Sequence, residues 1–233
     1  MEERYYSMLG AAAARGAMDR LGSHGADLPP TLLQKPLAEL SVPECEALIA
    51  KAHALGIKTH YFKRSDRMLP RVHCVMGFLK SISFISLLDV GSGRGAFLFP
   101  FLDAFSWVDT YAVDILDRRI EMLSDIARGG VARLQVLRAD ICDQPLADRA
   151  VDVVTLLEVL EHIPNVEAAV RSAVRMARQY VVVTVPSKED NNPEHIHLLT
   201  RERLTALFSA CGVTRLSFDA VPGHLVMIAK IGG

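Results

Sequence analysis

Residues 87–95 read Leu-Leu-Asp-Val-Gly-Ser-Gly-Arg-Gly, and this segment restricts the fold more than any other in the chain. An apolar run (Phe84, Ile85, Leu87, Leu88) enters a turn with glycines at 91, 93 and 95, and the helix-compatible stretch Ala96-Phe97-Leu98-Phe99 follows at once. Strand, glycine turn and helix in immediate succession let a backbone approach a nucleotide-like ligand closely. Asp89 precedes the first glycine by two residues. A carboxylate there repels a pyrophosphate and suits a ligand that arrives with positive charge. Three readings stand at this point: a site for a cationic cofactor, a dinucleotide fingerprint written as Gly91-x-Gly93-x-x-Ala96, and a merely tight strand–helix turn.

From residue 83 onward, strand-like and helix-like runs alternate. Apolar runs predict strands at 85–90, 110–113, 134–137, 151–157, 180–185, 214–218 and 225–229. Helical spacing predicts helices near 96–104, 117–127 (capped by Asp117) and 166–177. Another helix opens at Thr200, buries Leu204, Leu207 and Phe208, and stops at Gly212. The gap at 139–150, with Pro145 and scattered acids, reads as loop. Alternation of this kind predicts an α/β fold built on a doubly wound, mainly parallel, seven-stranded sheet with helices on both faces. Only a short turn around Pro222-Gly223 joins the last two strands. A parallel crossover cannot be so short, so they form a C-terminal antiparallel hairpin.

The chain has 233 residues, half of them hydrophobic, which is ample for a sizeable core. A net charge of −1 provides no global field for nucleic acid. Cys45, Cys74, Cys142 and Cys211 lie far apart, the pattern of reduced thiols in a cytoplasmic protein. The start does not read as a secretory leader, and no run approaches the roughly 18 apolar residues of a membrane span, so no membrane partner is expected. Residues 1–80 read as an N-terminal helical extension or cap, and residues 81–233 as the core. Within the extension we expect a helix over 1–22, a Pro/Gly connector over 22–36, and a helix to about residue 55 opened by Ser41-Val-Pro-Glu44. A further helix follows Ser65, with Val72, Val75, Met76, Leu79 and Ile82 on one face.

The pattern Asp-x-Gly-x-Gly-x-Gly over 89–95 resembles the first motif of class I S-adenosylmethionine-dependent methyltransferases, whose cofactor carries a sulfonium and an amino group. A parallel sheet closed by a terminal hairpin agrees with that Rossmann-like family independently of the turn. The resemblance implies that S-adenosyl-L-methionine lies against Asp89, Gly91, Ser92, Gly93 and Gly95. Ligands of open parallel sheets lie beyond the carboxyl ends of the strands. Asp114, about 20 residues past the glycine turn, is placed to accept from both ribose hydroxyls, with Ile115 beside it. The resemblance further gives the adenine amino group to Asp140, the ring to Ile141, and the methionine amino group to the backbone at Leu157. Arg71 matches a carboxylate-binding arginine of ubiquinone-biosynthesis-like O-methyltransferases, with Arg67 as the alternative and a solvated arginine as the competing reading.

On the acceptor side, Glu158-Val-Leu-Glu161-His162 is followed, after the fifth strand, by His195 and His197. If 158–162 is helical, Glu158, Glu161 and His162 share a face, and with His195 they suit a divalent cation. That set is similar to the metal site of small-RNA 3′-terminal 2′-O-methyltransferases, where the ion activates a ribose hydroxyl. The same run occurs in metal-independent relatives. The favoured reading is metal-free, with His162, His195 or His197 as base or positioning group and Glu158 beside them. The expected activity is methyl transfer to an oxygen or nitrogen of a small acceptor. Between residues 51 and 80, Lys51, Lys58, Lys63, Arg64, Arg67, Arg71 and Lys80 face one acid, Asp66. That stretch reads as a solvated helix face, a lid for an anionic substrate, or an RNA-contacting lip. The alternatives are a metal-assisted RNA methyltransferase, a non-catalytic cofactor-binding protein of the same fold, and an NAD-dependent oxidoreductase. The oligomeric state has no signal in the sequence.

Overall fold

The alternating elements after residue 83 form one seven-stranded sheet in a computed structural model that describes residues 2–23, 28–57, 69–189 and 191–232. The basic run at 58–68, Arg67 included, lies outside the described residues. The strands are β1 (Ser86–Val90), β2 (Asp109–Asp114), β3 (Leu134–Arg138), β4 (Val151–Leu157), β5 (Ala177–Pro186), β6 (Leu216–Val221) and β7 (His224–Lys230). Their order is β3-β2-β1-β4-β5-β7-β6. Neighbours among the first five pair parallel, and β7 runs antiparallel to both β5 and β6. The chain therefore changes winding direction between β1 and β4, where such sheets open a crevice at their carboxyl ends.

Side chains alternate across β1. Leu87 faces a cluster with Val72, Val75, Phe101 and Val153, whereas Leu88 faces one with Val154, Val170, Val183 and Phe208. The first cluster seats α4 (Pro70–Lys80) and α5 (Leu98–Ala104), and the second seats α7 (Val166–Met176) and α8 (Arg201–Ala210). Each such fully buried side chain contributes about 1.5–3 kcal/mol. The apolar spacing expected for α4 is realised, with Val72, Val75, Met76 and Leu79 all buried. At α8, Thr200 accepts from the Arg203 amide, the expected cap.

The N-terminal helices add a flank at the β2–β3 side. Helix α1 (Glu2–Arg20) lies along α6 (Asp117–Arg128), with Tyr6, Leu9 and Ala12 joining Phe99, Met122 and Ile126 in one cluster. The two backbones almost touch: a Cβ on Gly16 would sit 1.9 Å from the Asp125 carbonyl oxygen. Arg20 then donates twice to the buried Asp125 carboxylate, at 2.9 Å each, and Arg128 donates once at 3.2 Å. Helix α3 (Val42–Ala54) covers the other side of α1 and opens with the expected capping box between Ser41 and Glu44. Among the described residues no helix is long and apolar enough to cross a membrane.

Local expectations change, among them the sixth strand, which runs over 216–221 rather than 214–218. The 22–36 connector contains a short helix, α2 (Pro30–Gln34), because Pro30 occupies the first helical position, which its fixed φ suits. Helix α5 begins at Leu98 rather than at 96, since the turn continues through Phe97. Asp117 does not cap α6: Leu116 holds the cap position, and Asp117 is the first helical residue, paired with Arg138. The Leu116 amide is instead taken by Asp114 at 2.9 Å.

Candidate active site

The carboxyl ends of β1, β2, β3 and β4 border two adjoining cavities of about 570 and 240 Å³ that share Gly91, Gly93, Arg119 and Glu158. The larger is lined by Asp114, Ile115, Asp140, Ile141, Val159 and His162. The smaller is lined by Arg71, Asp89, Ser92, Arg94, Phe97 and Leu157. Among the described residues singled out for a cofactor, Gly95 alone lines neither.

The glycine turn has a geometric reason at two positions. Gly91 has φ +64°, and a Cβ on it would sit 2.7 Å from the Val159 side chain. Gly95 has φ +78°, and a Cβ would fall 2.1 Å from the Phe99 ring, so it serves close turn-to-helix packing. Asp89, on β1, is buried, and its Oδ1 accepts from the Thr155 hydroxyl at 2.7 Å. Burial pushes its carboxyl up to about 6; the Ser92 and Thr155 hydroxyls pull it down and nearby Asp114 pushes it further up. A buried acid in this state favours a cation beside it.

Asp114 ends β2 and Asp140 follows β3, and each uses one carboxylate oxygen to hold its own loop. Asp114 Oδ1 takes the Leu116 amide at 2.9 Å, and Asp140 Oδ1 takes the Cys142 amide at 2.8 Å. Both side chains are thereby fixed along the larger cavity. Ile115 stands 61% exposed there, an apolar surface without a protein cover. Arg119, which the sequence reading passed over, borders both cavities from the first turn of α6. Burial, then the charge of Arg118, lowers its pKa.

The acceptor side departs from the helical convergence expected of 158–162. Glu158 has φ +61°, a left-handed backbone, and only Leu160–His162 forms a single 3-10 turn. The Glu158 side chain accordingly takes partners other than Glu161 and His162. Its Oε1 accepts from the Thr184 hydroxyl at 2.9 Å and lies 3.9 Å from Arg71 Nε, while Oε2 lies 3.0 Å from His224 Nε2. Arg71 is therefore at the site, whereas Thr184 and His224 were not singled out. No local motif marks them, because strand pairing brings them in: β5 lies beside β4, and Pro186 pairs with His224.

Glu161, His162 and His195 do meet, with one ligand atom from each within 4.8 Å of the others. The cause is backbone pairing, since the Glu161 carbonyl accepts from the amides of Ile196 and His197. Glu161 is fully buried, and the His162 and His195 rings meet edge-on at 4.8 Å. His162 Nδ1 lies 2.9 Å from the Glu194 carbonyl oxygen, so a neutral ring keeps its proton there and its lone pair on Nε2. His197 stands apart from this cluster, its Nε2 bonded to the Ile163 carbonyl at 3.0 Å. His195 and His197 line a third cavity of about 220 Å³ with Pro186, Lys188 and Ile196.

A family model described as a methyltransferase domain matches residues 88–183. The ubiquinone biosynthesis O-methyltransferase of Rickettsia felis is 35% identical over 86 residues, 37% of this chain. That stretch spans 34% of the relative's own length. Among solved structures, a SAM dependent methyltransferase from Aquifex aeolicus superposes with a TM-score of 0.55 at 21% identity, covering 67% of this chain and 89% of that one. The cyclase SpnF superposes with a TM-score of 0.58 at 16% identity over 76% of this chain and 88% of that one. These superpositions establish a shared fold, and the cyclase among them shows that the fold alone does not dictate the reaction.

Proposed function

Starting from a core whose residues 88–183 are a methyltransferase domain of the class I, Rossmann-like fold, we propose that the chain transfers a methyl group from S-adenosylmethionine to an oxygen or nitrogen of a small acceptor. The observation that carries this reading is the row of acids at successive strand ends. Asp114 and Asp140 line the larger of the two adjoining cavities, and the buried Asp89 lines the smaller with Arg71.

The residues present suit that cofactor. The raised Asp89 carboxyl matches an amino group, Arg71 or Arg119 matches a carboxylate, and Asp114 can accept from ribose hydroxyls. Asp140 with Ile141 and the exposed Ile115 suit an adenine edge and its faces. A pyrophosphate would instead bring its charge toward Asp89. The bound cofactor supplies an electrophilic methyl group, already activated by its sulfonium. The chain's share is therefore alignment of the acceptor and custody of its proton. His162 borders the main cavity and would take the acceptor's proton on Nε2, and His195 meets its ring from the segment after β5. The third cavity, lined by Lys188, Glu189 and the apolar Ile196, suits a small polar acceptor. The Rickettsia felis relative is an O-methyltransferase by name, which supports oxygen as the receiving atom.

A second reading has its own observation. The Glu161–His162–His195 cluster offers one carboxylate and two imidazoles to a divalent cation, which would lower the pKa of an acceptor hydroxyl. The test for both readings supplies methyl-labelled cofactor with panels of small phenols, carboxylic acids and amines, and with a short RNA, with and without a chelator. Label in a small acceptor supports the proposal. Label confined to RNA, or none with any substrate, overturns it, and loss of transfer on chelation selects the metal-assisted route.

A further inference from the structure

We propose that His224 is a positioning residue for the cofactor: it holds the Glu158 carboxylate and thereby keeps the Arg71 guanidinium available to the cofactor's own carboxylate. The proposal rests on the reading of the cleft as an S-adenosylmethionine site.

The antiparallel strand makes this possible. β7 begins with His224 opposite Pro186, at the carboxyl end of β5, so the hairpin turn lies at the ligand end of the sheet. The Ser187 amide donates to the Gly223 carbonyl at 3.0 Å and pins the turn there. His224 is half-buried and faces an acceptor from each ring nitrogen: Nε2 lies 3.0 Å from Glu158 Oε2, and Nδ1 lies 3.1 Å from the Pro222 carbonyl oxygen. A ring protonated at both nitrogens makes both hydrogen bonds, and a neutral ring makes only one.

The other Glu158 oxygen is held by Thr184 at 2.9 Å, and the Glu158 amide donates to the Thr184 carbonyl at 3.0 Å. Two strands therefore grip this residue, which explains how a non-glycine backbone persists at φ +61°, a conformation that costs roughly 1–2 kcal/mol. Arg71 Nε stands 3.9 Å from the same carboxylate, inside ion-pair range and outside hydrogen-bond distance. Thr184 and His224 hold Glu158 short of a closed, two-pronged salt bridge with Arg71. Without His224, the carboxylate is free to turn onto the guanidinium and occupy the donors a ligand carboxylate needs.

The test compares two ligands by calorimetry: S-adenosylhomocysteine, and 5′-methylthioadenosine, which has no amino-acid portion. In His224→Ala, we expect affinity for S-adenosylhomocysteine to fall about tenfold, as for one lost charge-assisted contact of about 1.4 kcal/mol. Affinity for 5′-methylthioadenosine should change by less than about twofold. His224→Gln, which retains an N–H donor toward Glu158, should recover most of the loss. Adding Arg71→Ala to His224→Ala should cost no more than Arg71→Ala alone. Equal loss for both ligands would reduce His224 to a structural role and overturn the proposal, as would unchanged affinity for both. If the unsubstituted protein binds neither ligand, the cofactor reading itself fails.

Discussion

Strand β4 carries an acid at each end, and the two are held in opposite ways. At the amino end, Asp152 is saturated: Oδ2 accepts from the Ile85 and Ser86 amides at 2.8 and 3.2 Å, and Oδ1 from Arg178 Nε at 2.8 Å. The Ser86 hydroxyl bonds both Asp152 and Arg178, so the network closes on itself. At the carboxyl end, Glu158 has the same kinds of partner, a hydroxyl and an arginine, yet its arginine stops at 3.9 Å and its backbone is left-handed. The closed network staples β1, β4 and β5 together. The open one leaves a cation facing a cavity. The same chemistry is left incomplete beside the cavity and finished at the opposite end of the strand.

Substitutions should separate the two ends. The largest effect is expected on transfer: His162→Ala should slow turnover about a hundredfold, the low end for loss of a proton acceptor, with S-adenosylhomocysteine affinity unchanged in calorimetry. His195→Ala should follow it in a weaker form. Retained turnover in both would remove the histidines from the chemistry. Next, Asp152→Ala should lower stability by about 3 kcal/mol, seen as a fall of roughly 6–12 °C in Tm, without altering ligand affinity in the folded protein. A change in affinity there would break the division between the ends.

Asp89 lies between these extremes. Its folded-state pKa of about 6 is above the ordinary 3.8, so the fold holds a proton more readily than the unfolded chain does. Stability is accordingly lost as pH rises from about 4 to 6, by roughly 2–3 kcal/mol in total. Asp89→Asn should remove that slope, melt higher than the unsubstituted protein at pH 7, and bind S-adenosylhomocysteine more weakly. In the unsubstituted protein, ligand affinity should instead rise with pH across the same window as the carboxylate forms. Parallel pH–melting curves for the two proteins would contradict the account. The smallest expected effect is Glu158→Gln, which should leave Tm within about 3 °C and S-adenosylhomocysteine affinity within about twofold, since the amide oxygen still accepts from Thr184 and the neutral side chain no longer competes for Arg71. A large fall in Tm would make Glu158 a second staple.

The same contrast explains what could be read in advance. The glycine turn, the strand ends at Asp89, Asp114 and Asp140, and the terminal hairpin are written in local patterns: apolar runs, helical spacing and a two-residue turn. Three-dimensional pairing was needed for the rest. The spacing of Glu158, Glu161 and His162 fits one helical face, yet Glu158 follows β4 by bonding its amide to Thr184 and turns left-handed, so helical spacing does not apply. His195 reaches His162 because the Glu161 carbonyl takes two amides from the 196–197 segment, a contact with no sequence mark. His224 enters through β5–β7 register. Asp117 and Asp114 compete for the same role near α6, and the aspartate that caps nothing in the pattern is the one that holds Leu116.

The central claim is that the carboxyl end of this sheet binds an S-adenosyl cofactor through its row of acids. Calorimetric titration of the unsubstituted protein and Asp114→Ala with S-adenosylhomocysteine, and with NAD for comparison, tests it most directly. The account predicts binding of S-adenosylhomocysteine, more than about tenfold weaker in Asp114→Ala, and no heat with NAD. Binding of NAD without S-adenosylhomocysteine, or equal affinity in the two proteins, would contradict it.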